Sequence, residues 1–249
     1  MLSKYFQDFH AKILKSTGSV KKTATKKGAA AKKTAGKGVV AKTAAVKLDM
    51  QALQEKLESI IPSYLSISNA KPIDTNGFSP DGADLLIYRP YCRDIVNMMG
   101  GYVPFELIHG ACFVVPHLDK KTLQDVLNRV SGIKKISKYA GTEEEAFKIP
   151  AFIIAGTADH GMMDLKNDIL NYYINNNIDA DFEFDIFMVM NRGVVIKNWR
   201  ESRSFISLET ESDTMMWFFI LMAEYLETER TEDLDFRKYI KTEKTYKQY

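Results

Sequence analysis

The fold of this chain is decided by the segment ADLLIY, residues 83–88, which sets one carboxylate, Asp84, on an otherwise apolar run. Apolar and β-branched residues in such a run favour a β-strand. A second run, GACFVVP at residues 110–116, leads into a helix that we expect to begin after Asp119. Strand and helix patterns alternate along the rest of the chain, which predicts an α/β body with a mixed sheet and flanking helices. Residues 91–102 are expected to form an irregular loop, and residues 184–189 and 194–199 a hairpin about residues 191–193.

The order of these motifs resembles a prokaryotic and phage family of unknown function whose members carry a PD-(D/E)XK nuclease-like core. The family pattern joins an N-terminal helix, a Leu-Pro-x-x-Tyr entry, an Asp-hydrophobic-hydrophobic-Ile-Tyr strand, a Pro-x-Glu step and a Leu-x-Lys-x-x-Leu helix start. The matching segments here are 61–64, 84–88, 104–106 and 118–123. The resemblance implies a single restriction-endonuclease-like domain, which we place at residues 48–229.

The resemblance also implies an active site that this chain carries only in part. Metal-dependent phosphodiester hydrolysis needs carboxylates that bind Mg²⁺ and a lysine that assists the attacking water. The family's Glu-x-Lys pair occupies alternate positions of one strand, so both side chains reach the same face. Aligned on this sequence, those positions hold Val114 and Pro116. We therefore expect a vestigial site made of Asp84, Glu106, Val114 and Pro116, with no catalytic residue and no metal.

Two other interpretations of these residues stay open. Glu106, His117, Asp119 or Lys120 could supply the missing groups, and the chain would then be an active Mg²⁺-dependent nuclease with relocated catalytic residues. In that case Asp84 and Glu106 bind the metal and Lys120 acts near the phosphate. Alternatively, Asp84 is a strand-end carboxylate that accepts hydrogen bonds from nearby backbone amides.

A basic arm precedes the body at residues 16–47. It contains nine lysines and eight alanines but no acidic or aromatic residue, so it cannot bury enough apolar surface to offset its ordering entropy. The chain has a net charge of +2, and removing nine lysines leaves −7 for the rest. We expect the arm to contact nucleic acid or an acidic protein surface, with a plain linker as the alternative. The contact residues are Lys21, Lys22, Lys26, Lys27, Lys32, Lys33, Lys37, Lys42 and Lys47.

Composition narrows the remaining possibilities. A chain of 249 residues with 45% hydrophobic content can bury one sizeable core. Its two cysteines, Cys92 and Cys112, have no paired spacing, and its four histidines are scattered, so we expect neither a disulfide framework nor a zinc site. We see no signal peptide and no apolar run long enough to span a bilayer, which predicts a cytoplasmic or virion protein without a membrane partner.

The ends of the chain complete the organisation. Residues 1–15 are expected to form an amphipathic helix that docks on the body through residues at three-and-four spacing, namely Leu2, Tyr5, Phe6, Phe9 and Ile13. Residues 230–249 form a charged tail. The sequence supports three functions. The chain is a catalytically inactive nuclease-fold protein that acts in binding or assembly, an active nuclease, or a structural component of a phage particle or injection machine. We expect no cofactor, except Mg²⁺ for an active nuclease, and the oligomeric state is not determined.

Overall fold

A mixed β-sheet organises the protein, whose structure is a computed structural model. The structure describes residues 2–15, 48–74, 77–136, 148–198, 200–201, 203–226 and 247–248. Within these residues the large sheet has eight strands in the order β1-β3-β5-β6-β7-β8-β9-β10. These strands are β1 (Ser66–Ser68), β3 (Leu85–Tyr88), β5 (Ile108–Leu118), β6 (Ala151–Ala158), β7 (Ile186–Val189), β8 (Gly193–Lys197), β9 (Phe205–Glu209) and β10 (Lys247–Gln248).

The centre of the sheet is parallel and its flanks are antiparallel. Strands β5, β6 and β7 run in the same direction, and helices α4 (Lys120–Lys134) and α5 (Met162–Asn175) connect them. On the flanks, β3 pairs antiparallel with β5, and β8 pairs antiparallel with β7. The predicted hairpin about residues 191–193 is the β7–β8 connection. Strands buried on both faces read as continuous apolar runs, which is the pattern of β5 and β6.

The sheet separates two hydrophobic layers. One layer lies under α4 and α5 and includes Phe113 and Val115 of β5. The other lies under α1 (Leu2–Lys15), α2 (Met50–Glu58) and α6 (Thr214–Leu226), and it includes Cys112 and Val114. Successive residues of β5 therefore point to opposite layers, as strand geometry requires.

Helix α4 is well specified by its local sequence. Asp119 accepts a hydrogen bond from the Thr122 backbone amide, and the Thr122 hydroxyl bonds back to the Asp119 backbone, which forms a capping box. Five apolar residues at helical spacing then face the sheet: Leu123, Val126, Leu127, Val130 and Ile133. The cap and the stripe together explain why this helix begins and packs where it does.

The opposite layer is closed by the N-terminal helix. Phe6 and Ile13 of α1 are fully buried, and the Phe6 ring lies 5.1 Å from that of Phe219 on α6. Tyr5, which we expected on the docking face, is half exposed. In the described ranges no helix is long and apolar enough to cross a membrane. The basic arm and residues 230–246 of the tail lie outside the described residues.

One region differs from its sequence interpretation. Residues 91–102, expected as an irregular loop, contain helix α3 (Ile95–Met98), and Tyr102 begins strand β4 (Tyr102–Pro104). Strand β4 pairs in parallel with β2 (Lys71–Ile73) to form a small second sheet. A three-residue strand is too short to show a period of two, so the sequence pattern could not predict it.

Four charged side chains are buried beneath α4. Lys134 donates to Asp185 over 2.5 Å, and the Asp185 carboxylate also accepts from the Ala151 backbone amide over 2.7 Å. Beside them, Lys197 lies 3.3 Å from the carboxylate of Glu183. Because each buried charge faces one of opposite sign, the cluster avoids the full cost of burying isolated ions.

Candidate functional site

The site expected from the sequence centres on Asp84, immediately before β3. The Asp84 backbone amide donates to Cys112 over 2.9 Å, which extends the β3–β5 ladder by one residue. Leu86 and Tyr88 of β3 point into the layer under α4 and α5, and Asp84 shares their alternate spacing. The Asp84 side chain therefore lies on the α4 side of the sheet.

The Asp84 carboxylate is held by two donors from the protein. Its Oδ2 accepts from the Val114 backbone amide over 2.7 Å and from Nη2 of Arg129, on α4, also over 2.7 Å. The side chains of Asp84 and Arg129 are 30% and 33% exposed, so the ion pair is largely screened from water. A metal ion approaching this carboxylate would have to displace a guanidinium that already neutralises it.

Arg129 is itself fixed from three directions. Besides its bond to Asp84, it donates from Nε to the Gly82 carbonyl over 2.8 Å, and a second donor, Nη2, reaches the same oxygen. Its Cζ lies 5.5 Å from the centre of the Phe113 ring, within the range of a cation–π contact. Gly82 has φ +136, and a Cβ there would meet Arg129 Cβ at 3.1 Å. A glycine is thus required for this close approach.

The face of β5 beside Asp84 differs from the expected alignment. Val114 points into the layer under α6, and Pro116 is exposed. On the α4 side, alternate residues of β5 are Phe113 and Val115. A shift of one residue moves every side chain of a strand to the other face. The sequence alignment placed Val114 and Pro116 beside Asp84, whereas the structure places Phe113 and Val115 on that side. Neither Phe113 nor Val115 can ligand a metal or transfer a proton.

The structure does not bring the relocated ligands together. Glu106 is exposed in the 3-10 turn before β5, whereas Asp84 lies beside residues 112–114, which are at least about 13 Å along the strand from its start at Ile108. Lys120 begins α4 and is nine residues from Arg129, or about 13 Å along the helix from the contact with Asp84. The geometry required for an Asp84–Glu106–Lys120 site is absent from these described residues.

The other two candidate ligands have partners of their own. A hydrogen bond of 2.8 Å joins His117 Nδ1 to the Thr157 hydroxyl, and His117 Nε2 lies 3.2 Å from the Asp159 carboxylate. Asp119 caps α4, and its hydrogen bonds with Thr122 lower its pKa. Across the described ranges, no three histidine, cysteine, aspartate or glutamate residues lie close enough to hold a metal ion. The Mg²⁺ that the fold implies therefore does not fit the residues present around Asp84.

The thiol next to the site is unreactive by environment. Cys112 is fully buried in the layer under α6, and burial raises its pKa to about 12, with a smaller contribution from the nearby Asp84 charge. A thiol with this pKa stays protonated at neutral pH, so it offers neither a nucleophile nor a thiolate ligand.

Sequence reasoning missed Arg129. Arg129 lies one turn beyond Asp125 on a helix whose apolar stripe was easy to recognise, and a basic residue there reads as solvent-facing. Its partners, Gly82 and Asp84, are 47 and 45 residues away. Gly82, two residues before Asp84, was the one local signal that another side chain packs closely there.

Comparisons with known proteins bear on the fold. No protein-family model matches the chain, and no curated protein matches it. Among solved structures, NucC of E. coli MS115-1 in its apo form matches with a TM-score of 0.61 and 16% identity, covering 96% of this chain and 97% of NucC. NucC of P. aeruginosa ATCC27853 in its cAAA-bound form matches with a TM-score of 0.60 and 13% identity, with 90% of each chain covered.

These likenesses show the fold. A third match, the cAAA-bound form of E. coli MS115-1 NucC, has a TM-score of 0.60 and 16% identity, and again covers 90% of each chain. The prediction of a mixed α/β fold of the nuclease-like type, with flanking helices, is confirmed. The narrower resemblance to a family of unknown function stays a prediction.

Proposed function

We propose that this chain is a nuclease-fold protein that binds nucleic acid without cutting it. In this proposal the Asp84 region is a structural remnant of a metal site, and the basic arm at 16–47 grips the phosphate backbone. The body then acts as a binding or assembly component, and the contacts of its surface determine where in an assembly the arm lies.

The observation that carries the proposal is the ion pair between Arg129 and Asp84. A catalytic Mg²⁺ needs several oxygen ligands, and here the single carboxylate is neutralised by a guanidinium at 2.7 Å. The neighbouring positions on the same face of β5, Phe113 and Val115, are apolar and buried. The carboxylate is neutralised, it is the one acidic side chain among these positions, and no neighbour on this face can transfer a proton. These three properties argue against metal-dependent cleavage at this position.

The composition of the arm supports nucleic acid as the partner. Lysines spaced along a segment without acidic residues neutralise phosphates without reading sequence. Outside the arm the chain carries the opposite charge, −7, so nucleic acid is held by the arm and repelled by much of the remaining surface. NucC, whose fold this chain shares, occurs in a cAAA-bound form in two organisms, which supports a nucleotide ligand in preference to an acidic protein surface.

Incubation of the purified chain with DNA and with RNA, each in Mg²⁺ and in Mn²⁺, tests the proposal. We expect no cleavage above that of an Asp84→Ala variant. Binding to the same substrates should persist and should require the arm, as shown by a variant lacking residues 16–47. Cleavage that Asp84→Ala abolishes would establish the alternative, an active nuclease with relocated residues. Binding that survives removal of the arm would refute its assigned role.

A further inference from the structure

A groove runs between α4 and α5 on the outer side of the layer that they cover. It contains one cavity of about 290 Å³ near the start of α4 and one of about 320 Å³ near its end. Both cavities are lined by Tyr172 and Asn176, so they adjoin. Each is within or close to the size range of small-molecule sites in proteins.

The walls of this groove are rich in carboxamide side chains. A carboxamide both donates and accepts hydrogen bonds, so it suits ligands that present donors and acceptors side by side. Helix α4 contributes two such residues, and α5 with the turn after it contributes four. They are Gln124, Asn128, Asn171, Asn175, Asn176 and Asn177.

Two of these residues have a structural explanation. Asn176 follows the end of α5 and donates to the Tyr172 carbonyl over 2.8 Å. Asn177 has φ +49, a conformation that asparagine tolerates better than most residues. Their presence is accounted for by the end of the helix.

The other four have no such explanation. Gln124, Asn128 and Asn171 lie within helices, as does Asn175, and their carboxamides make no hydrogen bond with another described residue. Asparagine lowers helix propensity relative to alanine or lysine, so its use at exposed helical positions lowers the stability of the helix. Donors and acceptors of these side chains are therefore free for a ligand.

The charges of the groove are balanced. Lys120 and Asp168 lie at one end, and Lys135 and Asp179 lie at the other. A surface with equal numbers of lysines and aspartates does not attract a run of phosphates, which distinguishes the groove from the basic arm. It favours a ligand portion that is uncharged and rich in hydrogen-bonding groups.

We propose that the groove binds a nucleoside, with the base edge paired to carboxamides. Asparagine and glutamine present the donor–acceptor pairs that base edges complement. The rings of Tyr172 and Phe182 line the larger cavity. Lys148 lies over the Phe182 ring, 5.1 Å from its centre, so Tyr172 is the ring on which we place a stacked base. The nucleoside comes from a free nucleotide or from a single strand of nucleic acid, since neither cavity is enclosed.

Binding of the four uncharged ribonucleosides to the full chain, measured by calorimetry, tests this inference. Nucleosides lack phosphate, so the arm contributes nothing and the result is independent of the proposed function. We expect at least one nucleoside to bind, and Asn128→Ala and Asn171→Ala each to weaken it about five- to tenfold through a lost hydrogen bond. Asn167→Ala, an exposed asparagine on α5 outside the groove, should leave binding unchanged.

Each substitution introduces a better helix former at an exposed position, so the variants should fold, which circular dichroism checks. A single-stranded homopolymer at high ionic strength, where arm contacts are screened, identifies the source of the ligand. If binding of the single strand depends on Asn128 and Asn171, the natural ligand of the groove is a single strand. If only nucleosides bind, the natural ligand is a free nucleotide. No nucleoside binding, or equal effects of Asn171→Ala and Asn167→Ala, would overturn the inference.

Discussion

Arg129 donates from Nη2 to Asp84 Oδ2 over 2.7 Å and thereby joins α4 to the start of β3. The contact places a permanent protein cation at Asp84, the strand carboxylate of the expected vestigial site. It also ties the loop before β3 to the helix, because Arg129 donates to the Gly82 carbonyl as well. The same guanidinium therefore connects the helix to the loop before β3 and neutralises the Asp84 carboxylate.

Replacing Arg129 by methionine should destabilise the protein by about 1–3 kcal/mol, since the Gly82 carbonyl loses the guanidinium donor and Asp84 loses one of its two donors. Arg129→Lys should recover only part of this, because lysine keeps the charge but lacks the planar fork. The free energy of unfolding from urea titrations measures both. Lys121→Met, at an exposed lysine on the same helix, is the matched control and should change stability by less than about 0.5 kcal/mol. Equal effects of Arg129→Met and Lys121→Met would contradict the structural role.

The pair of adjacent lysines at the end of α4 gives a sharper comparison. Lys134 is 3% exposed and bonded to Asp185, whereas Lys135 is exposed. Lys134→Met should cost about 3–5 kcal/mol, because it leaves the Asp185 carboxylate buried without its counter-charge. Lys135→Met makes the same chemical change one residue away and should have little effect on stability. Chemical denaturation measures both variants. Equal denaturation midpoints for Lys134→Met and Lys135→Met would refute the stabilising role of the Lys134–Asp185 pair.

Stability should also depend on pH through Glu183. Burial raises the pKa of Glu183 above its ordinary value of 4.5, against the opposing effect of the Lys197 ammonium. The folded state thus holds this proton to higher pH than the unfolded state. The resulting stabilisation is complete below about pH 4.5 and is lost as pH rises through the folded pKa. The free energy of unfolding of wild type should fall relative to that of Glu183→Gln as pH rises through this range. A constant difference would contradict the assignment.

The arm makes a prediction about salt. If all nine lysines contacted phosphates of duplex DNA, log K would fall with log salt concentration at a slope of about −8, which is an upper limit in magnitude. Replacing Lys21, Lys22, Lys26 and Lys27 by glutamine should reduce the slope in proportion and weaken binding to all sequences alike. Fluorescence anisotropy over a salt series measures this. A slope that does not change would remove the arm from the interface.

Much of the fold was predictable because its signals are local. The apolar runs at 83–88 and 110–116 predicted two strands, and the cap by Asp119 with the stripe that follows predicted α4. The phase of β5 was not predictable. Phe113, Val114 and Val115 are all apolar and all buried, so the sequence shows no alternation that would tell which of them faces Asp84. The contact between Arg129 and Asp84 joins residues 45 positions apart, and only the packing of α4 on the sheet brings it about.

Titration of the protein with Mn²⁺, followed by the paramagnetic signal of the free ion, tests the central claim most directly. A variant carrying Phe113→Glu, Val115→Lys and Arg129→Ala, which restores the carboxylate and lysine and removes the guanidinium, serves as the positive comparison. We predict that wild type and Asp84→Ala bind Mn²⁺ identically, and that the restored variant gains a site that a further Asp84→Ala change removes. A site in wild type that is lost on Asp84→Ala would contradict the account.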